Sequence, residues 1–414
     1  MQPLQEKHLE VCKKIVEAGG RPLIVGGYVR DMLLGRSPKD VDIVVTSMID
    51  TSMLGQSIGK DFPVFLIDGI EVALARKERK TGLGHTDFVC DTENVSLEDD
   101  LLRRDLTINA IAMDPFDGHI IDPWGGVRDL RDRILRPVGP HFKEDPLRVL
   151  RAARFAAQLN MEIHDSLIEA AIEVLHEIPM LSRERIWGEL QKALQSPKPS
   201  LFFEALDKMG ALEIVFPELA ALKGRVQPEK HHPEGDAYVH TLLVIDRARE
   251  LGADDETMFA ALVHDLGKAI TPNEELPHHY NHEALGVPLV NAMCDRIGVP
   301  NTFRVVGKCA AKEHLNIHKF QELKAITKAR LLVRLGVVQS TTLLNRVTLA
   351  TQADAQGRGP LFHSKPYPQR DMALMAAEVV RGVHGNEFAC LQDGQKIAQK
   401  MEEKRTKALK AAGF

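Results

Sequence analysis

Residues 24–45 read IVGGYVRDMLLGRSPKDVDIVV, and no other stretch constrains the fold as tightly. An apolar, strand-like run ends on Gly26-Gly27, a short helical segment is closed by Gly35, and Asp40-Val41-Asp42 introduces the next apolar run. Side chains alternate faces along a strand, so Asp40 and Asp42 are expected on one face and Val41 on the other. Two carboxylates that close repel each other unless a cation lies between them. Mg²⁺ suits the pair, because it takes one or two carboxylates together with substrate phosphates. Glycines at 26 and 27 let backbone N–H groups approach a triphosphate, and the helix start that follows favours anions. Arg30, in the first turn of that helix, would add charge-assisted contacts to the same phosphates. A D-x-D pair alone fits a glycine turn with solvated aspartates better than it fits a metal site. G-G-x-x-R-D followed by K-D-x-D is far more specific.

Around this stretch the pattern alternates between strand and helix. VDIVVT reads as a strand followed by a helix, and FPVFLIDGIEVALA as a hairpin turning at Asp68-Gly69. RKERKTGLGHTDFVCDTEN has no clear period and reads as a mobile loop or a ragged strand pair. From Glu144 onward apolar residues recur at three and four, with Asp or Ser near each start, which predicts successive helices. FPELAALKGRVQPEKHHPEGD breaks this block from a second helical region that begins near Tyr238. The last residues, KIAQKMEEKRTKALKAAGF, form a basic helix or tail, and the first twenty an amphipathic helix ending at glycine.

At 414 residues the chain is too long for one core, and two to four domains are expected. No apolar run reaches the roughly 20 residues that span a bilayer, and the N-terminus lacks the apolar stretch of a signal peptide. The five cysteines are scattered without a C-x-x-C, which argues against a disulfide framework or thiolate zinc and for a reducing cytoplasm. A net charge of −5 gives no global basic field, although arginines concentrated on one face would still serve nucleic acid.

The segment EDPLRVLRAARF places Asp145 ahead of a helix that carries Arg148, Arg151 and Arg154 at every third residue, a drifting stripe. An aspartate accepts from an exocyclic amine, and an arginine fork donates to ring nitrogen and carbonyl groups. Cytosine and adenine share that amine, whereas uracil and guanine carry a carbonyl. One Asp–Arg pair would therefore accept CTP and ATP. Spacing alone leaves equal room for arginines that pair with acids or bind RNA phosphate, and for Asp145 as a helix cap.

Further on, DAYVHTLLVIDRARELGADDETMFAALVHDLGKAITP puts His240 on one helix and adjacent His264-Asp265 on the next. Histidine and aspartate together suit divalent Mn²⁺, Ni²⁺ or Zn²⁺. An adjacent His-Asp inside an apolar helix is costly unless coordination or hydrogen bonding satisfies both groups. His279, His282 and His314 follow, as substrate or second-metal contacts or, at least as readily, in surface or structural roles.

These motifs together resemble the polymerase-β-like nucleotidyltransferases, and more narrowly the bacterial class II tRNA nucleotidyltransferases, the CCA-adding enzymes. LIVGGYVRDMLLG with KDVDIVV resembles the opening motif and LEDDLLRRDLTINAIAMD the second. GHIIDPWGGVRDLRDRILRPV resembles the segment leading to the neck, and EDPLRVLRAARFAAQL the nucleotide-selecting helix. The later histidine-aspartate block resembles an HD phosphohydrolase domain, whose last ligand would be Asp354 of LATQADAQGR. The chain as a whole is similar to the HD-containing, multifunctional type.

The resemblance implies an α+β fold: a polymerase-β-like nucleotidyltransferase head with a small mixed sheet, a helical neck, an all-α HD domain and a helical tail. The expected divisions are an N-terminal helical extension at 1–21, the head at 22–140 and a neck binding nucleobase and tRNA at 141–222. The HD domain then takes 223–370 and the tail 371–414. It implies Asp40 and Asp42 as catalytic Mg²⁺ ligands, with Gly27, Arg30, Arg104, Arg151 and Arg154 holding the nucleotide while Asp145 and Arg148 read its base. Arg76, Glu78 and Arg79 would form the flexible-loop motif of enzymes that add the terminal A. His240, His264, Asp265 and Asp354 would bind an HD-site metal such as Ni²⁺ or Mn²⁺.

The implied reaction is attack of a tRNA 3′-hydroxyl on CTP or ATP with release of pyrophosphate. The implied HD activities are phosphatase and 2′,3′-cyclic phosphodiesterase. A cytoplasmic monomer or homodimer with no membrane partner is expected. The alternatives are a bacterial poly(A) polymerase, an RNA-binding protein with a retired site, or an HD nucleotide hydrolase with an inactive head. The first usually carries basic residues and a phenylalanine after the first glycine, where this chain has GGYVRD. One departure from the family stands out: the segment before Leu23 is longer than HD-bearing members usually carry, and is expected as an added helix on the head.

Overall fold

The computed structural model describes residues 4–38, 40–46, 49, 56–58, 64–80, 88–91, 95–388 and 393–414, with backbone alone at 56–58, 77–80, 88–91 and 387. The chain divides into two units, Met1–Leu181 with Ala205–Ala211, and Ser182–Glu204 with Leu212–Phe414.

The first unit opens with helix α1 (Glu6–Glu17), then β1 (Pro22–Val25), α2 (Gly27–Leu33), β2 (Asp42–Val45), β3 (Gln56–Ile58), β4 (Val64–Ile67) and β5 (Ile70–Leu74). After β6 (Lys77–Lys80), β7 (Phe88–Asp91) and α3 (Leu97–Leu102) come β8 (Ala112–Met113), β9 (Ile120–Ile121), α4 (Gly126–Asp132) and β10 (Ile134–Leu135). Helix α5 (Leu147–Leu159), β11 (Glu162–Ile163) and α6 (Asp165–Val174) follow.

Seven strands form one sheet in the order β3-β4-β5-β2-β1-β8-β9. Only its β2–β5 pair is parallel, so the sheet is small and mixed. β4 and β5 are the expected hairpin, with Asp68 and Gly69 at φ of 50° and 77° as a two-residue primed turn requires. The RKERK stretch is the strand-pair alternative, β6 against β7. The helix expected after Thr46 falls mainly on residues outside those described.

Alternation along β1 and β2 buries both faces. Leu23, Val25 and Val44 join Ala75, Val95, Leu97, Leu101, Ala110 and Ala112 in one apolar cluster. On the opposite side α1 presents Val11, Cys12 and Ile15, all fully buried. Gly20 marks the close approach there: a Cβ would lie 2.7 Å from Ile15 and 2.9 Å from Val45. The N-terminal segment is thus a helix that covers the sheet. Helix α3 is fixed by a capping box in which Ser96 and Asp99 bond each other's backbone N–H groups.

The second unit, together with the α8 residues shared between the units, is helical. Its helices are α7 (Arg183–Leu194), α8 (Ser200–Lys208), α9 (Leu212–Val215), α10 (Pro217–Ala220), α11 (Ala237–Glu250), α12 (Asp255–Val263) and α13 (His282–Ile297). They continue with α14 (Asn301–His318), α15 (Ala325–Arg334), α16 (Thr342–Gln356), α17 (Pro360–His363), α18 (Pro368–Arg381) and α19 (Gly394–Ala411). Trp187, Phe259 and Phe303 pack edge-to-face from α7, α12 and α14, the closest pair 4.8 Å between centroids. The basic C-terminal segment is a docked helix rather than a loose tail. On α19, Leu409 is fully buried and Glu402 receives both Nε and Nη2 of Arg330 from α15 at 2.8 Å. Among the described residues no helix is long and apolar enough to cross a membrane.

Candidate functional site

In the head, antiparallel β1 and β2 set Val25 opposite Asp42, and Gly26 then turns the chain at φ +72° into α2. A Cβ at Gly26 would stand 2.8 Å from Arg104 Nη1 and 3.7 Å from Asp42 Oδ2. The missing side chain therefore leaves a space that a carboxylate and a guanidinium share. Asp40 is not on the strand as expected. β2 begins at Asp42, and Asp40 lies exposed in the segment just ahead, so strand alternation does not fix its direction. The two acids remain coupled. Asp42 is held above the ordinary carboxylate value by desolvation; Arg104 pulls it down, and the charges of Asp40 and Glu71 raise it further.

The Arg103–Asn109 turn ties the remaining candidates to this point. Fully buried Asp100 accepts Nη2 of Arg103 at 2.7 Å and Nη2 of Arg104 at 3.3 Å, and the Arg76 backbone N–H at 3.3 Å. Among the described residues, buried Arg104 Nε has no hydrogen-bond partner. Arg30 is 6% exposed; it donates to Asn109 at 2.6 Å and Asp31 at 2.8 Å and lies 5.0 Å over the Phe155 ring. Asn109 in turn donates to Asp105 at 2.9 Å, and Arg151 Nε donates to the other oxygen of Asp105 at 2.8 Å. Burial would raise the Asp105 carboxyl, but the charge of Arg151, the Asn109 bond and the charge of Arg148 outweigh it and bring it to about 2.

Arg148 donates to the backbone carbonyls of His141 and Arg103, each at 2.7 Å, which fastens α5 to the same turn. Asp145 accepts the Leu147 N–H at 3.0 Å at the start of that helix. Arg154 turns to Phe155, 4.1 Å from the ring centroid, and to Gln158. Gly26, Asp42 and Arg104 thus meet directly, with Gly27 next in the chain, and Arg30, Arg148 and Arg151 reach them through the turn. Glu78 and Arg79 lie on β6, where only backbone is described, and the loop beyond Lys80 falls outside the described residues.

In the helical unit four predicted ligands converge from three directions. His240 comes from α11, whose start Asp236 caps by accepting the Tyr238 and Val239 N–H groups. His264 and Asp265 end α12, and Asp354 comes from α16. His240 Nε2 is 3.2 Å from Asp354 Oδ1 and 3.7 Å from Asp265 Oδ2, and His264 Nε2 is 3.2 Å from Asp265 Oδ2. A second group meets the other oxygen of Asp265: His282 Nε2 at 3.4 Å and His314 Nε2 at 3.6 Å.

Tautomers follow from the outer hydrogen bonds. Nδ1 of His264 donates to the Ala261 carbonyl, Nδ1 of His282 to that of His279, and Nδ1 of His314 to those of Ala310 and Ala311, all at 2.7–3.0 Å. Each ring therefore turns its Nε2 inward, the orientation of metal-ligating histidines. His282 Nε2 and His314 Nε2 face each other at 3.1 Å, two acceptors that need a cation or a proton between them. Among the described residues, His240 Nε2, His264 Nε2 and Asp265 Oδ1 are buried with no hydrogen-bond partner. This donor set fits a divalent borderline metal, with Asp265 able to serve two ions.

Burial acts against charge here, yet Asp265 and Asp354 stay well below the ordinary carboxylate value. His264 and Lys268 hold the first down, and His318, His240 and Arg358 the second. Burial pushes His314 down to about 3. Asp265, Asp354, His282 and His314 of the cluster line a cavity of about 680 Å³, together with Lys268, His278, His318, Lys319, Arg358 and Lys365.

Three family models match. One for the "Poly A polymerase head domain" takes residues 23–136, one for the "Probable RNA and SrmB- binding site of polymerase A" residues 160–223, and one for the "HD domain" residues 237–350. The chain is 44% identical over 402 residues to the multifunctional CCA protein of Nitrosococcus oceani, covering 94% of this chain and 98% of that one. It is 45% identical over 403 residues to that of Vibrio vulnificus, with the same coverage. The chain belongs to the multifunctional CCA protein family. It is an enzyme, a CCA-type nucleotidyltransferase that also carries an HD domain. Solved structures share the fold. A CCA-adding enzyme with ATP superposes at a TM-score of 0.65 and 18% identity over 99% of this chain and 91% of that one. The Bacillus stearothermophilus CCA-adding enzyme with CTP gives 0.62 at 21% identity, over 100% and 94%.

In this member of the multifunctional CCA protein family, Asp354, expected as the last ligand, lies beyond the matched HD segment and approaches both His240 and His264. The structure also adds residues that the sequence does not single out. Glu234 and His232 sit in the stretch read as an interdomain break. Glu234 Oε1 lies 2.6 Å from His240 Nδ1 and 2.9 Å from His232 Nδ1, orienting the first ligand. The only sequence signal was H-x-E ahead of an N-capped histidine helix. His318 is 2.6 Å from Asp354 and 3.0 Å from the Tyr367 hydroxyl, with no motif to announce it. In the head the overlooked residues are Asp100, Asp105 and Asn109, legible as polar positions spaced along an otherwise apolar LEDDLLRRDLTINAIAM.

Proposed function

We infer that this enzyme completes the 3′ end of tRNA with C, C and A drawn from CTP and ATP, releasing pyrophosphate. The observation that carries the reading is the shared space of Gly26, Asp42 and Arg104, because it puts a metal-binding carboxylate and an anion-binding guanidinium against a backbone free of Cβ. Asp40 and Asp42 would hold Mg²⁺, whose chemistry is to activate the 3′-hydroxyl and stabilise the leaving oxygens. Gly26 and Gly27 admit the triphosphate, and Arg104 directs its unpartnered Nε at it. Asp145 and Arg148 select the amino-bearing bases. Arg30 and Arg151 work through Asn109 and Asp105, holding the turn that aims Arg104. Arg76, Glu78 and Arg79 belong to the loop used when A replaces C.

The test is a tRNA transcript lacking its last three nucleotides, with Mg²⁺ and each labelled triphosphate alone and then CTP with ATP. Addition of two C and one A, lost in Asp40→Ala, is expected. A long A-tail would move the assignment to a poly(A) polymerase.

A second activity is favoured by the inward-facing imidazoles of the HD unit. We infer that His240, His264, Asp265 and Asp354 hold a divalent transition metal such as Ni²⁺ or Mn²⁺, with His282 and His314 completing a second position on Asp265. A metal there supplies hydroxide at neutral pH. Lys268, His318 and Arg358 line the cavity and bind the phosphate ester. Hydrolysis adds a water oxygen to phosphorus, breaks one P–O(ribose) bond and leaves the proton on the ribose oxygen. Phosphatase and 2′,3′-cyclic phosphodiesterase action on RNA ends are the expected forms. Hydrolysis of 2′,3′-cyclic AMP by the metal-loaded protein, lost in Asp265→Ala, is the measurement that checks it.

A further inference from the structure

We propose that the stacked rings of His278 and Tyr280, at the rim of the HD cavity, form a base platform that seats the last nucleoside of an RNA 3′ end while its phosphate reaches the histidine-aspartate cluster. This rests on the reading of the HD site as a phosphate-ester hydrolase.

The two rings lie 5.8 Å apart and 27° from parallel. His278 lines the cavity, and Tyr280, stacked on it, is 62% exposed. An aromatic ring stacked on a cavity residue and open to water offers the kind of face on which single-strand binders stack bases.

The platform is also held rigidly. His279, between the two rings, is bonded at both nitrogens, to Thr271 Oγ1 at 2.8 Å and to the Val226 carbonyl at 3.1 Å. Its own carbonyl accepts Nδ1 of His282 at 2.7 Å. The loop that carries the stack is therefore bonded directly to a residue of the cluster, which fixes the distance between base and phosphate.

The rest of the cavity fits the same ligand. At about 680 Å³ it lies within the range of roughly 300–1,000 Å³ for sites that enclose a whole small molecule, far more than a phosphate needs. Lys365, with Nζ 3.4 Å over the Phe362 ring, contributes a cation, as do Lys319 and Arg358. These suit the phosphodiester that links the terminal nucleotide to the one before it. Stacking is tolerant of base identity, as a site working on RNA ends of varied sequence requires.

The experiment compares Tyr280→Ala and Tyr280→Phe in the full-length protein loaded with Ni²⁺ or Mn²⁺. Three substrates are used: a short oligoribonucleotide ending in a 3′-phosphate, free 2′,3′-cyclic AMP, and glycerol 2-phosphate, which has no base. With Tyr280→Ala, KM for the oligonucleotide should rise about tenfold or more with kcat held. The preference for it over glycerol 2-phosphate should fall by the same factor. Tyr280→Phe should restore both within about twofold. A parallel loss on 2′,3′-cyclic AMP extends the platform to free nucleotides, whereas a loss confined to the oligonucleotide assigns it to RNA.

Binding gives a second readout. A dinucleotide ending in 2-aminopurine 3′-phosphate should be quenched by metal-free wild type and not by Tyr280→Ala. An unchanged KM, an equal loss on all three substrates, or quenching that survives the substitution would overturn the platform. A wild type inert on all three with either metal would instead remove the hydrolase reading, and the platform with it.

Discussion

In the head, Asp42 stands exposed at the start of β2, and its partners Gly26 and Arg104 leave a space open beside it. In the HD unit, Asp265 and Asp354 are 2% and 4% exposed and are ringed by imidazoles whose outer nitrogens are already bonded. The head's buried charges lie behind its centre, where Asp100 and Asp105 neutralise the arginines that shape the turn. In the HD unit the buried carboxylates Asp265 and Asp354 belong to the candidate centre itself. On the proposed function, a head site that admits two nucleotides and an RNA end in succession would keep its metal ligands near the surface and its rigidity in the support. A hydrolytic HD site needing one fixed coordination geometry would bury its ligands outright, provided a cation offsets the desolvation.

The largest test of that separation is a crossed pair of substitutions. Asp42→Ala should lower C and A addition about a thousandfold and leave HD hydrolysis within twofold. His264→Ala should do the reverse. A loss of both activities in either variant would mean that the two centres are not independent, and the comparison would fail.

Glu234 sharpens the claim that the HD ligands are oriented in advance. Burial would raise its carboxyl, but its bonds to His232 and His240 hold it down at about 2, so it is ionised at neutral pH. It therefore acts on His240 as a carboxylate. Glu234→Gln should weaken metal binding by about 10–100-fold, the usual cost of removing a partner behind a ligating histidine. Competition against a chelator of known affinity would measure it, while C and A addition should not change. Equal metal affinity in the two proteins would show that the packing of α11 alone orients the ring.

The two sites also differed in how far they could be read from the sequence. G-G-x-x-R-D with K-D-x-D points to the head's candidate centre because turn, strand and metal chemistry are local. Asp40 was misplaced on the strand for the same reason: alternation says where side chains point only once the strand has begun. The arginines of α5 were visible as a stripe. Their partners were not, because Arg148 reaches backbone carbonyls of Arg103 and His141 that carry no residue identity. His264 and Asp265 are legible as a costly polar pair within an apolar helix, His240 as the histidine of the helix before it, and Asp354 through the family resemblance alone. Glu234 and His318 are not, since a linker and a helix C-terminus are ordinary places for polar residues. The docked α19 depends on Leu409 and Glu402, two contacts hidden in a composition that reads as solvated.

The smallest predicted effect concerns the support behind the head. Asp105 has a folded value of about 2 against an ordinary 3.8. A carboxyl depressed on folding contributes stability that is fully present above its unfolded value and is lost as pH falls through the folded one. The contribution is about 2 kcal/mol, complete above pH ~4 and gone below pH ~2. Asp105→Asn removes the charge facing Arg151 while keeping the acceptor for the Leu106 N–H. Its melting temperature should fall below wild type at pH 6, and the gap should narrow steadily between pH 4 and pH 2. Addition of C and A should weaken as well, because the turn that carries Arg104 loses the Asp105–Arg151 anchor to α5 and keeps only that of Arg148, whereas HD hydrolysis should not. A gap that stays constant down to pH 2 would assign the loss to side-chain packing, and the head's rigidity would then rest on Asp100 rather than on the Asp105–Arg151 pair.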